Sequence, residues 1–319
     1  MVLSGANSYS GQTNIEQGIL SISASANLGD ASATNTIRIA NNATLQSTGA
    51  DVDLGANRGI AMTGLGATIE VTGTNKLTAP GVITDNGCQL LTKTGSGVLS
   101  LTGASTYEGG TRVVAGTLDV SNTTGSGTGL GTLTVDAGTI LTGGGIISPA
   151  SGKNIVIDGV LAPGALGSAT GTDLAINLTG ASTLSINSEL NFTLFGNDNL
   201  GTLNPLTQNS SLVVSAPNWS SLTIGSGAVL NVGLNTGVTT TGWSAGDAFK
   251  LFDWLGILAG TPPSSGTAFS AINLPALDGG KTWDTSQIFT TGQITITPEP
   301  GRALLLMLGL LGLAFRRRR

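Results

Sequence analysis

The chain has no histidine and a single cysteine, Cys88, among 319 residues. Without imidazole there is no histidine base, no histidine-activated nucleophile and no histidine metal ligand. One cysteine excludes an internal disulfide and a thiolate cluster for zinc or iron–sulfur. Aromatic residues are 4% and charged residues 10% of the chain, against about 25% charged in an average protein. The 13 Lys and Arg are outnumbered by 18 Asp and Glu, for a net charge of -5. Such a surface offers no basic stripe to displace counterions from phosphates, so no nucleic-acid partner is expected. No cofactor is expected either. What is abundant is Gly, at 49 residues, together with Ser, Thr and Asn and a 39% hydrophobic content. The 49 Gly and 10 Pro stay below the roughly 25–30% at which composition alone argues for disorder. Aliphatic residues without aromatics suit a long, narrow core.

Period-two alternation is the dominant local signal. It appears in 19–23, 67–73, 117–121, 131–135, 155–157, 183–187, 221–225, 229–233 and 293–297. Most of these runs are short, rich in β-branched residues and bounded by Gly, Asn or Asp, which predicts short strands joined by tight turns. No stretch before residue 300 has a sustained helical period. The chain is therefore expected to be all-β. Leu118 and Val120 are expected to point inward, and Thr117, Asp119 and Ser121 to face water.

The strands also repeat. Residues 3–23 align without a gap to residues 101–121, an offset of 98, with nine of 21 positions identical, Tyr9 and Tyr107 among them. Four coils across that offset are about 24 residues each, within the range of solenoid units. A parallel β-solenoid is the favoured architecture, with a sandwich or barrel as the alternative. Residues 91–121, LTKTGSGVLSLTGASTYEGGTRVVAGTLDVS, resemble the autotransporter-associated β-strand repeat. The Thr-Lys-x-Gly-x-Gly start, the Tyr-x-Gly-Gly-Thr centre and the Ala-Gly-Thr-Leu end occur in order. The resemblance implies a right-handed parallel β-helix in a bacterial surface or secreted protein. The first copy lacks the Lys-x-Gly-x-Gly half and has Gln12 where the second has Gly110. Residues 139–164 and 281–292 are more weakly similar to stretches that accompany such repeats. The division expected is a repeat solenoid over 1–145, its continuation and cap over 146–297, and a terminal segment over 298–319. Trp219, Trp243, Trp254 and Trp283 are expected to plug the end of the core rather than to stack on sugars.

The terminal segment has three parts in order. Pro298, Glu299 and Pro300 come first. An apolar run follows, in which Ala303, Leu304, Leu305, Leu306, Met307, Leu308, Leu310, Leu311, Leu313 and Phe315 alternate only with Gly and Ala. Arg316, Arg317, Arg318 and Arg319 close the chain. This arrangement resembles the PEP-CTERM sorting signal of Gram-negative bacteria. The resemblance implies that an exosortase reads the Pro-Glu-Pro motif while a C-terminal transmembrane helix holds the precursor transiently in the inner membrane. The two prolines remove backbone donors, so the peptide is expected to remain extended and outside any central strand. The arginines are expected to stay cytoplasmic, which places residues 1–297 on the far side. Thirteen helical residues reach about 20 Å, short of the roughly 30 Å hydrocarbon core, and Arg302 and Arg316 can snorkel to cover the difference. The first residues have no basic start or apolar run and begin in mid-repeat, so the natural start is expected upstream, and the first coil is expected to fray.

Some β-helix proteins cleave polysaccharides, a chemistry that needs converging carboxylates, often with a base or metal nearby. The candidate pairs are Asp51/Asp53 and Asp247/Asp253, with Asp198 alone between Asn197 and Asn199. The pairs are read as solvating turns. The Gly143-Gly144-Gly145 run has no following Lys or helix, which disfavours a phosphate loop. Cys88 is read as inert and the paired tyrosines as packing elements. The function expected is a non-catalytic surface or matrix scaffold whose Thr, Ser and Asn rows meet extracellular polysaccharide or other copies of the chain. A polysaccharide lyase or hydrolase on the same fold is the second reading. An autotransporter passenger is the third, disfavoured because no run of barrel strands follows the repeats.

Overall fold

A computed structural model describes residues 1–166, 171–195, 209–216, 221–253 and 269–299. Within these the chain is all-β, with parallel strands stacked in long sheets as in a β-helix. The one helical element is a short 3-10 turn, Ser25–Leu28. All nine alternating runs singled out above contain strands.

The first face is a nine-stranded parallel sheet that runs from Ile19–Ile22 through Ala43–Ser47, Ala67–Val71 and Leu91–Thr94 to Ser221–Ile224. The second face, also nine-stranded and parallel, runs from Val52–Asp53 through Lys76–Ala79, Val98–Leu101 and Thr117–Val120 to Val229–Leu234 and Ala271–Asn273. The third face has two four-stranded sheets, one from Thr13–Ile15 to Ile83–Asp85 and one from Ile146–Ile147 to Phe252–Asp253. Between them, residues 102–110 and 121–132 complete the wall as irregular backbone. Thr106 N donates to Ile83 O, Leu130 N to Tyr107 O and Gly127 N to Ile146 O. Both long faces continue unbroken past residue 145.

Alternation puts every second residue inside, and register stacks like on like. On the second face Val52, Leu77, Leu99, Leu118, Leu141, Leu161, Leu190, Leu230 and Ile272 form one column. Its members from Leu77 to Leu230 have no solvent exposure. Each buried aliphatic side chain contributes about 1.5–3 kcal/mol, and a column lets every coil bury its neighbour's leucine. Coils stack this closely only where corners lack a Cβ. At Gly143 (φ +125°) an added Cβ would lie 1.9 Å from Val120 O.

The register corrects the coil count. Leu20 stacks on Leu45, Ile69, Lys93 and Val113, so four coils advance 93 residues, not 98. The remaining five carry the repeat around a corner. Leu20 therefore lies on the first face, while its sequence equivalent Leu118 lies on the second. The two copies share a local fold and not a place on the prism, because a corner constrains its own few residues and not the face that follows.

The far end is closed by a three-stranded antiparallel sheet of Ala248–Lys250, Gln293–Pro298 and Lys281–Asp284, with Gln293–Pro298 in the centre. Trp243, Phe249 and Trp283 pack edge-on or tilted, with ring centroids 4.9–6.1 Å apart. A second set of ring contacts joins Phe192, Phe252, Phe269 and Phe289. Trp243 and Trp283 thus plug the core, while Trp219 and Trp254 lie outside the described residues. At the other end Met1–Leu3 lie along the first face, with Leu3 N bonded to Ser21 O and Ser21 N to Met1 O, both at 2.9 Å. The first coil expected to fray is paired there.

Two further expectations change. Pro298 is the last residue of the central cap strand, opposite Lys281, not outside it. A strand tolerates proline at its terminus, where the missing donor is replaced by the next residue, and Glu299 N bonds Gly280 O at 3.0 Å. Among the described residues no helix is long and apolar enough to cross a membrane. The apolar run expected to form one, with Pro300 and the terminal arginines, lies outside them.

Candidate functional site

The outward residues of the first face fall into two rows. One passes through Thr44, Thr68, Thr92, Arg112, Thr134 and Val156 to Ser185 and Thr223. Successive members are about 4.8 Å apart, the spacing of hydrogen-bonded strands. The parallel row includes Gln46, Glu70 and Thr94. Within it Gln46 Nε2 donates to Glu70 Oε2 at 2.9 Å. No hydroxyl of Thr44, Thr68, Thr92 or Thr134 has a hydrogen-bond partner among the described residues. These residues are half-buried and leave donors and acceptors without an intramolecular partner on a sheet-held row.

On the second face, Asn231 Nδ2 donates to Asn191 Oδ1 at 2.8 Å, and Asn273 Nδ2 to Asn231 Oδ1 at 2.7 Å. This amide ladder, with residues 40 and 42 positions apart in the chain, exists only through stacking. Asp119 lies on an outward row of the same face but does not face water: it is 2% exposed. Lys76 Nζ at 3.2 Å, Ser100 Oγ at 2.8 Å and Ser121 Oγ at 2.7 Å cover its carboxylate.

The carboxylate pairs do not converge. Asp51 Oδ1 accepts Lys76 N from the neighbouring coil, whereas Asp53 Oδ1 accepts Gly55 N and ties down its own turn. Asp247 Oδ2 accepts Ser244 N, and Asp253 pairs with Lys250 at 2.8 Å. Asp198 lies outside the described residues. Among the described residues no three acidic or cysteine side chains gather as metal ligands would. Cys88 is exposed, in a left-handed corner at φ +62°. The tyrosines repeat one contact, Tyr9 to Thr13 at 2.8 Å and Tyr107 to Thr111 at 2.5 Å. Tyr107 is fully buried and Tyr9 is exposed. Burial raises the Tyr107 phenol above its ordinary range despite the Thr111 bond. Pro298 and Glu299 are exposed where the central cap strand ends.

Two buried cations escaped sequence reasoning. Lys93 occupies a core position between Ile69 and Val113. Its ammonium reaches the corner and donates to Thr94 O at 2.7 Å, Gly95 O at 2.8 Å and Ala115 O at 3.0 Å. Burial lowers its pKa to about 8, with Glu70 pulling the other way. Lys93 is the lysine of the Thr-Lys-x-Gly-x-Gly start, so the motif is a corner lock between two coils. Arg58, 1% exposed, donates to Leu54 O, Leu28 O, Gly29 O and Ser25. Its pKa is lowered by burial. The Lys93 signal was present as an in-register break in an aliphatic column; Arg58 lies between strands and left none.

With this geometry, residues 1–22 and 91–120 match the passenger-associated transport repeat. The second stretch is the one whose corner Lys93 locks. Over 199 residues the chain is 33% identical to the adhesin BmaC autotransporter of Brucella suis biovar 1 (strain 1330), covering 56% of this chain. That alignment spans 6% of the adhesin's length. No solved structure matches the chain. The chain carries autotransporter-associated repeats.

Proposed function

We propose that this chain is a non-catalytic, adhesin-like β-helix that is exported across the inner membrane and works at the cell surface or in the extracellular matrix. Crossovers between parallel strands are right-handed in about 98% of cases, and the coil is read so here. The observation that carries the reading is the row of free threonine hydroxyls on the first face. Threonine hydroxyls held on a sheet, interrupted by Arg112 in its ion pair with Asp136, meet the hydroxyls of extracellular polysaccharide at a small entropic cost of ordering side chains. Similarity to an autotransporter adhesin supports surface placement.

Delivery is assigned to the terminal segment. An exosortase reads Pro298-Glu299-Pro300, the run from Ala303 to Phe315 holds the precursor in the inner membrane, and Arg316–Arg319 remain cytoplasmic. The exposure of Pro298 and Glu299 at the end of the central cap strand supports this. Deleting residues 298–319 should block surface delivery, and normal sorting of the truncated chain would refute the assignment. Replacing Thr68 and Thr92 together with Glu should weaken adhesion to neutral polysaccharide while delivery continues. Release of sugar fragments from a panel of acidic and neutral polysaccharides would overturn the non-catalytic reading.

A further inference from the structure

The second face carries an outward row in which four uncharged residues lie between a lysine and a glutamate; it continues to Asp51 before Lys76 and to Val229 and Ala271 beyond Glu189. Register places Lys76, Val98, Thr117, Ile140 and Val160 in line on successive coils. Leu161 pairs with Leu190, which puts Glu189 next beyond Val160. Val98, Thr117 and Val160 are half-exposed, Ile140 is 38% exposed and Glu189 is exposed. Six positions at about 4.8 Å span about 24 Å. The inward neighbours of this row, from Leu77 to Leu190, are fully buried, so its side chains stand on a stiff sheet and cannot turn inward.

We infer that this row is a self-recognition surface on which a second copy of the chain docks with its solenoid axis reversed. A two-fold axis between Thr117 and Ile140 sets Thr117 against the other copy's Ile140 and Val98 against its Val160. The same operation sets Lys76 against Glu189 at both ends. In this register the segment from Lys76 to Glu189 is complementary to itself, Asp51 meets the other copy's uncharged Val229, and Glu189, which accepts one bond from Asn231 Nδ2 at 3.4 Å, keeps its other oxygen for the lysine. Alignment with the axes parallel stacks lysine on lysine and glutamate on glutamate. An isologous contact of this kind closes as a dimer and does not run on into a fibre. Lys76 already holds the buried Asp119 carboxylate at 3.2 Å. An ammonium has three donors, so that bond positions its head on the face and leaves others for Glu189. The apolar centre excludes water and the charges choose the direction, the division of labour seen in specific interfaces. The row is short, so the contact is weak for one pair in solution. It strengthens where many copies are held together on one surface.

This deepens the surface reading above by naming a partner, and its test is made on purified protein so that the two can fail separately. The full chain in mild detergent should show a reversible monomer–dimer equilibrium in sedimentation. Ile140→Lys should raise the dissociation constant at least ten-fold with an unchanged circular dichroism spectrum, and Glu189→Lys should do likewise. In a Cys88→Ser background, V98C mixed with V160C should cross-link with a short bifunctional maleimide. Neither variant alone should, because the identical positions lie about three coils apart across the two-fold axis. Cross-linking of V98C to itself, or dimers indifferent to Ile140→Lys, would overturn the inference. So would a chain that stays monomeric at the highest concentration reached. If surface delivery is intact in those cases, the adhesin reading stands without this partner.

Discussion

Replacing Lys93 with Met tests whether a buried cation holds two coils together. Methionine keeps the length of the stem and fills the same space between Ile69 and Val113, so no large cavity complicates the result. What disappears is a donor group satisfying the carbonyls of Thr94, Gly95 and Ala115 at 2.7–3.0 Å. A buried acceptor left unpaired costs about 1–3 kcal/mol, and three at the low end give about 3 kcal/mol. Relief from burying an ammonium offsets part of this, leaving a net loss of about 2 kcal/mol. A solenoid opens coil by coil, so the loss should be local. Hydrogen exchange should show faster opening of amides in the stretches around Gly95 and Gly116, and denaturant should melt this region first. The pH dependence has a defined sign. The folded pKa, about 8, is below the ordinary lysine value of 10.5, so the unfolded chain binds more protons between them. Stability from this group therefore rises with pH from about 8 to 10.5. Lys93→Met should lose that rise. A variant as stable as the parent, with the same pH profile, would refute the lock.

Glycine corners separate strain from collision. Gly138 (φ +80°) has nothing within 4 Å of an added Cβ, whereas Gly143 meets Val120 O at 1.9 Å. Gly138→Ala should cost about 1 kcal/mol, the left-handed penalty, and Gly143→Ala several times that in denaturant titrations. Tyr107→Phe removes a buried hydroxyl bonded to Thr111 and should cost about 1 kcal/mol, whereas the exposed Tyr9→Phe should be near neutral; equal effects would contradict the difference in burial. Trp243→Ala, in the aromatic plug, should lose about 3–5 kcal/mol and show as early loss of near-ultraviolet dichroism from the cap while the repeat coils persist.

Alternation was legible because it is a local property. A residue such as Leu118 is inward when its neighbours Thr117 and Asp119 are outward, whatever the coil does next. The tight corners were legible for the same reason, from the Gly, Asn and Asp that bound each short run, although the lysine that locks one of them was not. The faces were not, since the sequence equivalents Leu20 and Leu118 ended on different sides once coil lengths varied. Nor was the sequestering of Asp119, which needs Lys76 from 43 residues away. Sequence alone thus determined an all-β chain of short strands and tight corners with little chemistry in its side chains. Only tertiary structure decided which residues stand in line: the threonine grid, the asparagine ladder, the carbonyl cage of Lys93 and the row from Lys76 to Glu189. The reason is physical. Direction in or out follows from a two-residue period, but register along the axis follows from the length of every coil, and that is set by stacking.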